Sequence, residues 1–121
     1  MAASSYKDLI VWQKSMELAQ EIYRLVKLLP KDETFSLSYQ MRRAVVSIPS
    51  NIAEGQDRNS GKEFLHFLSI ARGSRAELET QIQICVMVGY LSDTDVREVN
   101  RLLKEIGRML SALISKLKTE N

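Results

Sequence analysis

Apolar residues recur along this chain at helical spacing in four separate blocks. In the first, about residues 8–29, Leu9, Trp12, Met16, Ala19, Tyr23 and Val26 follow at three- and four-residue steps, with Leu18, Ile22, Leu25 and Leu29 in a second row beside them. At about 100° per residue the two rows cover close to half of the helix surface, wider than one neighbouring helix needs. Pro30 ends the block. The second, about 36–55, carries Leu37, Met41, Ala44, Ile48 and Ile52. Pro49 lies inside it, removes a backbone donor and crowds the preceding turn, so a kink is expected there. Gly55 is expected in the left-handed position after the helix end.

The third block, about 60–88, opens with Ser60 and Glu63, the spacing of a reciprocal capping box. Phe64, Phe67, Ala71, Ser74, Leu78, Ile82 and Cys85 form its apolar face, and the small Ala71, Gly73 and Ser74 invite close approach of a neighbour. Gly89 ends it. The fourth block, about 93–118, has the most regular seam: Val96, Val99, Leu103, Ile106, Leu110, Leu113 and Leu117. Four amphipathic helices joined by short loops predict an all-α, antiparallel up-down four-helix bundle, a single domain over residues 1–121. The broad apolar face of the first helix predicts burial against another subunit as well.

Charge changes this picture little. The 17 basic and 15 acidic residues leave a net of +2, which argues against a general polycation for nucleic acid or membranes. The longest uncharged stretch, Thr80 to Ser92, has 13 residues and is too short to span a bilayer. No apolar leader pattern stands at the start, and the single Cys85 has no partner for an internal disulfide. A cytoplasmic location is expected.

Candidate chemistry is sparse. Glu63 and His66 have the Glu-x-x-His spacing of bundle metal sites, but His66 is the only histidine and Glu63 already serves as a cap residue. No phosphate-cradling or nucleophile-elbow motif occurs. No catalytic residue, metal or cofactor is therefore expected. One polar feature is a basic row on the fourth helix, Arg97, Arg101, Lys104 and Arg108, nearly opposite its apolar seam. Like charges four residues apart destabilise a helix, and a phosphate backbone would relieve them. A solvated face softened by Glu98 and Glu105 is the plainer reading. The other feature is the stretch Gln40 to Arg58, which sets Arg43, Ser47, Asn51, Glu54 and Arg58 among apolar residues. Buried charges need partners, so Glu54 with Arg43 or Arg58, and Glu77 on the third helix as another candidate partner, are expected to form a structural network that fixes the kinked second helix, with a ligand site as the sharper alternative.

The same stretch carries a resemblance. Gln40-Met41-Arg42-Arg43-Ala44, then Ser47-Ile48-Pro49-Ser50-Asn51-Ile52-Ala53-Glu54-Gly55, resembles the signature of the bacterial four-helix bundle family, also called the 23S rRNA intervening-sequence proteins. The likeness continues through Arg58, Glu63-Phe64, Phe67-Leu68, Ala71, Gly73-Ser74 and Glu77-Leu78, and includes Trp12. It implies an up-down bundle assembled as a ring-shaped homopentamer. Some members are encoded inside intervening sequences of 23S rRNA genes. A similar protein accompanies the reverse transcriptase of diversity-generating retroelements, where a basic pentameric barrel binds polymerase and nucleic acid. The resemblance brings no enzymatic activity. Its shared polar positions fall on Gln40, Arg43, Asn51, Glu54, Arg58, Ser74 and Glu77. The expected function is a non-enzymatic oligomeric scaffold that associates with RNA, DNA or a nucleic-acid-handling protein. The alternatives are a bundle that contacts protein only and, more remotely, a metal-dependent bundle enzyme.

Overall fold

Ser5 opens the described part of the chain, residues 5–120 of a computed structural model. Its hydroxyl accepts the Lys7 N–H and caps a 3-10 turn at Tyr6–Asp8. Helix α1 runs Ile10–Leu25 and tightens into a second 3-10 turn, Val26–Leu28, ahead of Pro30. A third short turn at Lys31–Glu33 leads to α2 (Leu37–Asp57), α3 (Gly61–Met87) and α4 (Arg97–Glu120). The described residues contain no strand.

The helices pack side by side around a square, α1 on α2, α2 on α3, α3 on α4 and α4 back on α1, and among the described residues no helix backbones approach closely across the diagonals. Along the α2–α3 seam, Met41 meets Cys85, Ser47 meets Ser74 and Gly55 meets Phe67. Rising numbers on one helix against falling numbers on the other make the pair antiparallel, and short connections extend the up-down order around the bundle. Leu18 and Ile22 of α1, Met41, Ile48 and Ile52 of α2, Leu68, Leu78 and Ile82 of α3, and Leu103, Ile106 and Leu110 of α4 fill the centre. No helix among the described residues is long and apolar enough to cross a membrane.

The helix ends refine what the spacing predicts. Gly55 does not end α2: it is buried within the helix, where Phe64 and Phe67 of α3 pass close against its backbone. The left-handed residue at this corner is Asn59, with φ of 57°, a conformation that asparagine tolerates better than most residues. Gly89 does end α3, with φ of 86°, and the N–H groups of Gly89 and Tyr90 bond the carbonyls of Val86 and Cys85. Helix α4 starts at Arg97, later than expected, because Ser92 and Asp95 exchange side-chain-to-backbone bonds of 2.9 and 3.1 Å and close a separate turn. Only half of the expected Ser60–Glu63 box forms. The Ser60 hydroxyl accepts the Glu63 N–H, but the Glu63 carboxylate stands 3.8 Å from Arg58.

The two rows of α1 part company. The second row, Leu18, Ile22, Leu25 and Leu29, is in the core with Val11 and Ser15, and the Ser15 hydroxyl is satisfied by the Val11 carbonyl. The first row lies at the margin, where Met16 and Tyr23 keep 46% and 45% of their surface exposed. Gly73 faces open space, so close approach in the small-residue run of α3 falls to Ala71 and Ser74.

Candidate nucleic-acid interface

The basic row predicted on α4 divides between two neighbours. Arg97 is exposed at the first turn. Arg101 bonds Glu98 and Glu105, one turn behind and one turn ahead, and these bonds, that to Glu98 first, raise its pKa further. Glu105 in turn lies 3.6 Å from Lys14 of α1. The charge of Arg101 is thus largely committed within a string of alternating signs on the α1 side.

Lys104 and Arg108 belong to a different environment. They line an open groove of about 650 Å³ between α3 and α4, where Arg72, Arg75 and Glu79 face them from α3. Four cations share this groove with one carboxylate. Arg75 is the fixed member: its Nη1 donates to the Leu103 carbonyl at 3.0 Å and lies 3.5 Å from Glu79. Gly107 makes room for it, because a Cβ there would stand 3.0 Å from Arg75 Nε. The α4 spacing identifies Lys104 and Arg108 but not their α3 counterparts. Arg72, Arg75 and Glu79 follow at steps of three and four beside the apolar face of α3, the available sign that they share one flank.

The polar residues of α2 and α3 also separate into groups. Asn51 Nδ2 donates to the Ser47 carbonyl and hydroxyl at 2.7 and 2.9 Å, and Ser47 bonds Ser74 across the helix pair at 2.8 Å. Gln40, Arg43 and Glu77 border a separate groove between α2 and α3, which Ser47 and Ser74 also line. Glu54 and Arg58 pair with each other at 2.6 Å, but at the surface, with 51% and 45% of their side chains exposed. The expectation of a buried Glu54 charge pair is corrected accordingly: the residue lies on the outer flank of α2, where water solvates the pair. Arg58 also lies over the Phe67 ring, 5.1 Å from its centroid.

His66 stands edge-on to Phe67, with centroids 5.3 Å apart, while Glu63 faces Arg58. The described residues contain no group of three or more His, Cys, Asp or Glu side chains able to hold a metal ion. Cys85 is fully buried beside Met41, and burial pushes its thiol pKa up to about 11, far from a reactive thiolate at neutral pH.

No curated protein is significantly similar to the chain. The fold is shared with the crystal structure of a protein of unknown function from the S23 ribosomal protein family of Bacteroides thetaiotaomicron VPI-5482. That likeness has a TM-score of 0.80 and 29% identity, over 87% of this chain and 98% of the other. The model of the 23S rRNA-intervening sequence proteins matches residues 7–112, a span that takes in all of α1, α2 and α3 and most of α4, and the chain belongs to that family.

Proposed function

We propose that this protein is a non-enzymatic, oligomeric helical scaffold that associates with nucleic acid through the groove between α3 and α4. The observation that carries the reading is the convergence of Arg72, Arg75, Lys104 and Arg108 with only Glu79 to offset them. Such an excess in a concave surface attracts phosphate, and neutralising a phosphate backbone releases counterions. The contacts are to phosphate, so recognition is largely independent of base sequence. Self-association follows from the Met16 and Tyr23 side of α1, which this chain alone leaves exposed. A ring of the pentameric kind implied by the resemblance repeats the groove in every subunit, so that avidity adds to weak individual contacts.

Fluorescence anisotropy with labelled RNA over a range of salt concentrations tests the reading. The parent binds, and binding weakens steeply with salt. Changing Lys104 and Arg108 together to Gln weakens binding and flattens the salt slope by about 2, one for each lost phosphate contact. Changing Arg97 and Arg101 together has a smaller effect, because Arg101 is already paired. Salt-independent or absent binding by the parent, or equal binding by the Lys104/Arg108 variant, refutes the groove. Absent binding leaves the protein-only scaffold in its place.

A further inference from the structure

The polar residues of the α2–α3 seam that phosphate binding leaves unused surround a second, smaller groove of about 280 Å³. Tyr39, Gln40 and Arg43 line it from α2 and Glu77 from α3, with the small Ala44, Ser47 and Ser74 between them. Its base is set. Ser47 and Ser74 bond each other, and Asn51 holds Ser47 from one turn further along α2. These hydroxyls are committed to each other and keep the two helices in register.

The charges at the rim are not committed in this way. Arg43 lies 5.8 Å from the Tyr39 ring centroid, and among the described residues no carboxylate forms an ion pair with it. The Glu77 carboxylate accepts the Gln81 side-chain N–H at 3.2 Å, and no described cation pairs with it. Gln81 is itself only 5% exposed, and its carbonyl oxygen is buried without a partner. A buried amide that leaves its own acceptor unsatisfied, with its donor on Glu77, holds that carboxylate in place at a cost. A guanidinium on one helix and a carboxylate on the other thus face one small groove without closing on each other.

We propose that this groove binds an amino-acid-sized zwitterion, its carboxylate on Arg43 and the Gln40 amide and its ammonium on Glu77. Charge-assisted bonds at both ends suit a ligand of zero net charge, since the groove itself carries one charge of each sign. A simple carboxylate would leave Glu77 without a counter-ion, and a simple amine would leave Arg43 without one. The small side chains of Ala44, Ser47 and Ser74 between the two leave room for the ligand's substituent. The site lies on the flank of α3 opposite the phosphate groove, so it stands or falls independently of nucleic-acid binding.

Isothermal titration calorimetry of the full chain with the standard free α-amino acids tests this, with the N-acetyl derivative and the amide of each binder as controls lacking one charge. A dissociation constant of about 1 mM is expected for two solvent-accessible charge contacts. Each control, and each of the variants Arg43→Gln and Glu77→Gln, is expected to weaken binding by about tenfold or more. Circular dichroism establishes that the variants fold. Should either fail to fold, backbone amide shifts of the parent serve instead, with changes confined to residues around Ser47 and Ser74 supporting the site. No binding by any amino acid at about tenfold that concentration, equal binding of the singly charged controls, or shift changes elsewhere overturns the proposal.

Discussion

Gly55→Ala and Gly73→Ala are the same chemical change within two neighbouring helices, and the structure gives them opposite signs. Replacing glycine by alanine inside a helix normally stabilises by about 0.5–1 kcal/mol, because the unfolded chain loses freedom and the helix gains a better former. Gly73 faces open space, with nothing within 4 Å of an added Cβ, so it should show this gain in full. At Gly55 the new methyl would stand 2.8 Å from Phe67 Cβ, 3.0 Å from Phe64 Cδ1 and 3.4 Å from Phe64 Cα. A Cβ and a Cα cannot swing aside as the tip of a long side chain can, so α3 itself must shift. Overpacking of this kind costs about 1–3 kcal/mol, more than the propensity gain. A net loss of about 1–2 kcal/mol is expected for Gly55→Ala, and a separation of about 2 kcal/mol between the two variants. Urea unfolding followed by circular dichroism reads this as a midpoint difference of about 1 M, provided the slope is unchanged. All samples are compared at one protein concentration, because the proposed self-association would couple stability to concentration. A Gly55→Ala variant as stable as the parent, with the parent's slope, would show that α2 and α3 are not in the contact described.

Two further outcomes follow from the surface. Glu54→Ala should leave the urea midpoint close to the parent's, because water replaces the lost partner of a half-exposed Arg58; a loss as large as that of Gly55→Ala would restore a buried role for Glu54. Glu33 accepts hydrogen bonds from Ser36, Tyr90 and the Leu37 N–H, and these, the Ser36 bond first, hold its carboxyl below the usual carboxylate range. A depressed carboxylate stabilises the fold above its unfolded pKa and ceases to do so as pH falls through its folded pKa. Tyr90→Phe should therefore raise the Glu33 pKa, and the stability gap to the parent should be widest at neutral pH and shrink as the solution is acidified. An unchanged Glu33 carboxyl titration by NMR in the variant would show that the Tyr90 bond does not form in solution.

The core was largely legible because burial and helical period are the same information. Pro30 and Gly89 end their helices for reasons internal to the residue, a ring that crowds the preceding Leu29 into extended backbone in one and access to positive φ in the other. Gly55 shows the limit of that logic. A glycine near a helix end is equally consistent with a left-handed cap and with a close helix crossing, and only the position of Phe67 on another helix decides between them. The same holds for α1. Period alone gives two apolar rows, but which one fills the core depends on where α2 and α4 lie, and the row containing Met16 and Tyr23 is the one left at the margin, with Leu9, Trp12, Ala19 and Val26 packed against the core's edge.

The basic row of α4 illustrates what spacing does and does not carry about a site. Angle around one helix places Arg97, Arg101, Lys104 and Arg108 together, yet a charge acts through its nearest neighbours, not through its angle. Glu98 and Glu105 stand at three and four residues from Arg101, so the rule that assembles the row also contains the pairing that removes Arg101 from it. What no single-helix argument contains is Arg72 and Arg75, which reach Lys104 and Arg108 only because α3 packs beside α4. A cation row on one helix reads as a solvated face until a second helix supplies like charges to the same concave surface. The cost of crowding those charges is then what a phosphate would relieve. Under the proposed function the weight of the two halves of the row is reversed: Lys104 and Arg108, unpaired by their own helix and crowded by the next, would carry phosphate binding, while Arg101 is paired with the surface carboxylates of α4 itself.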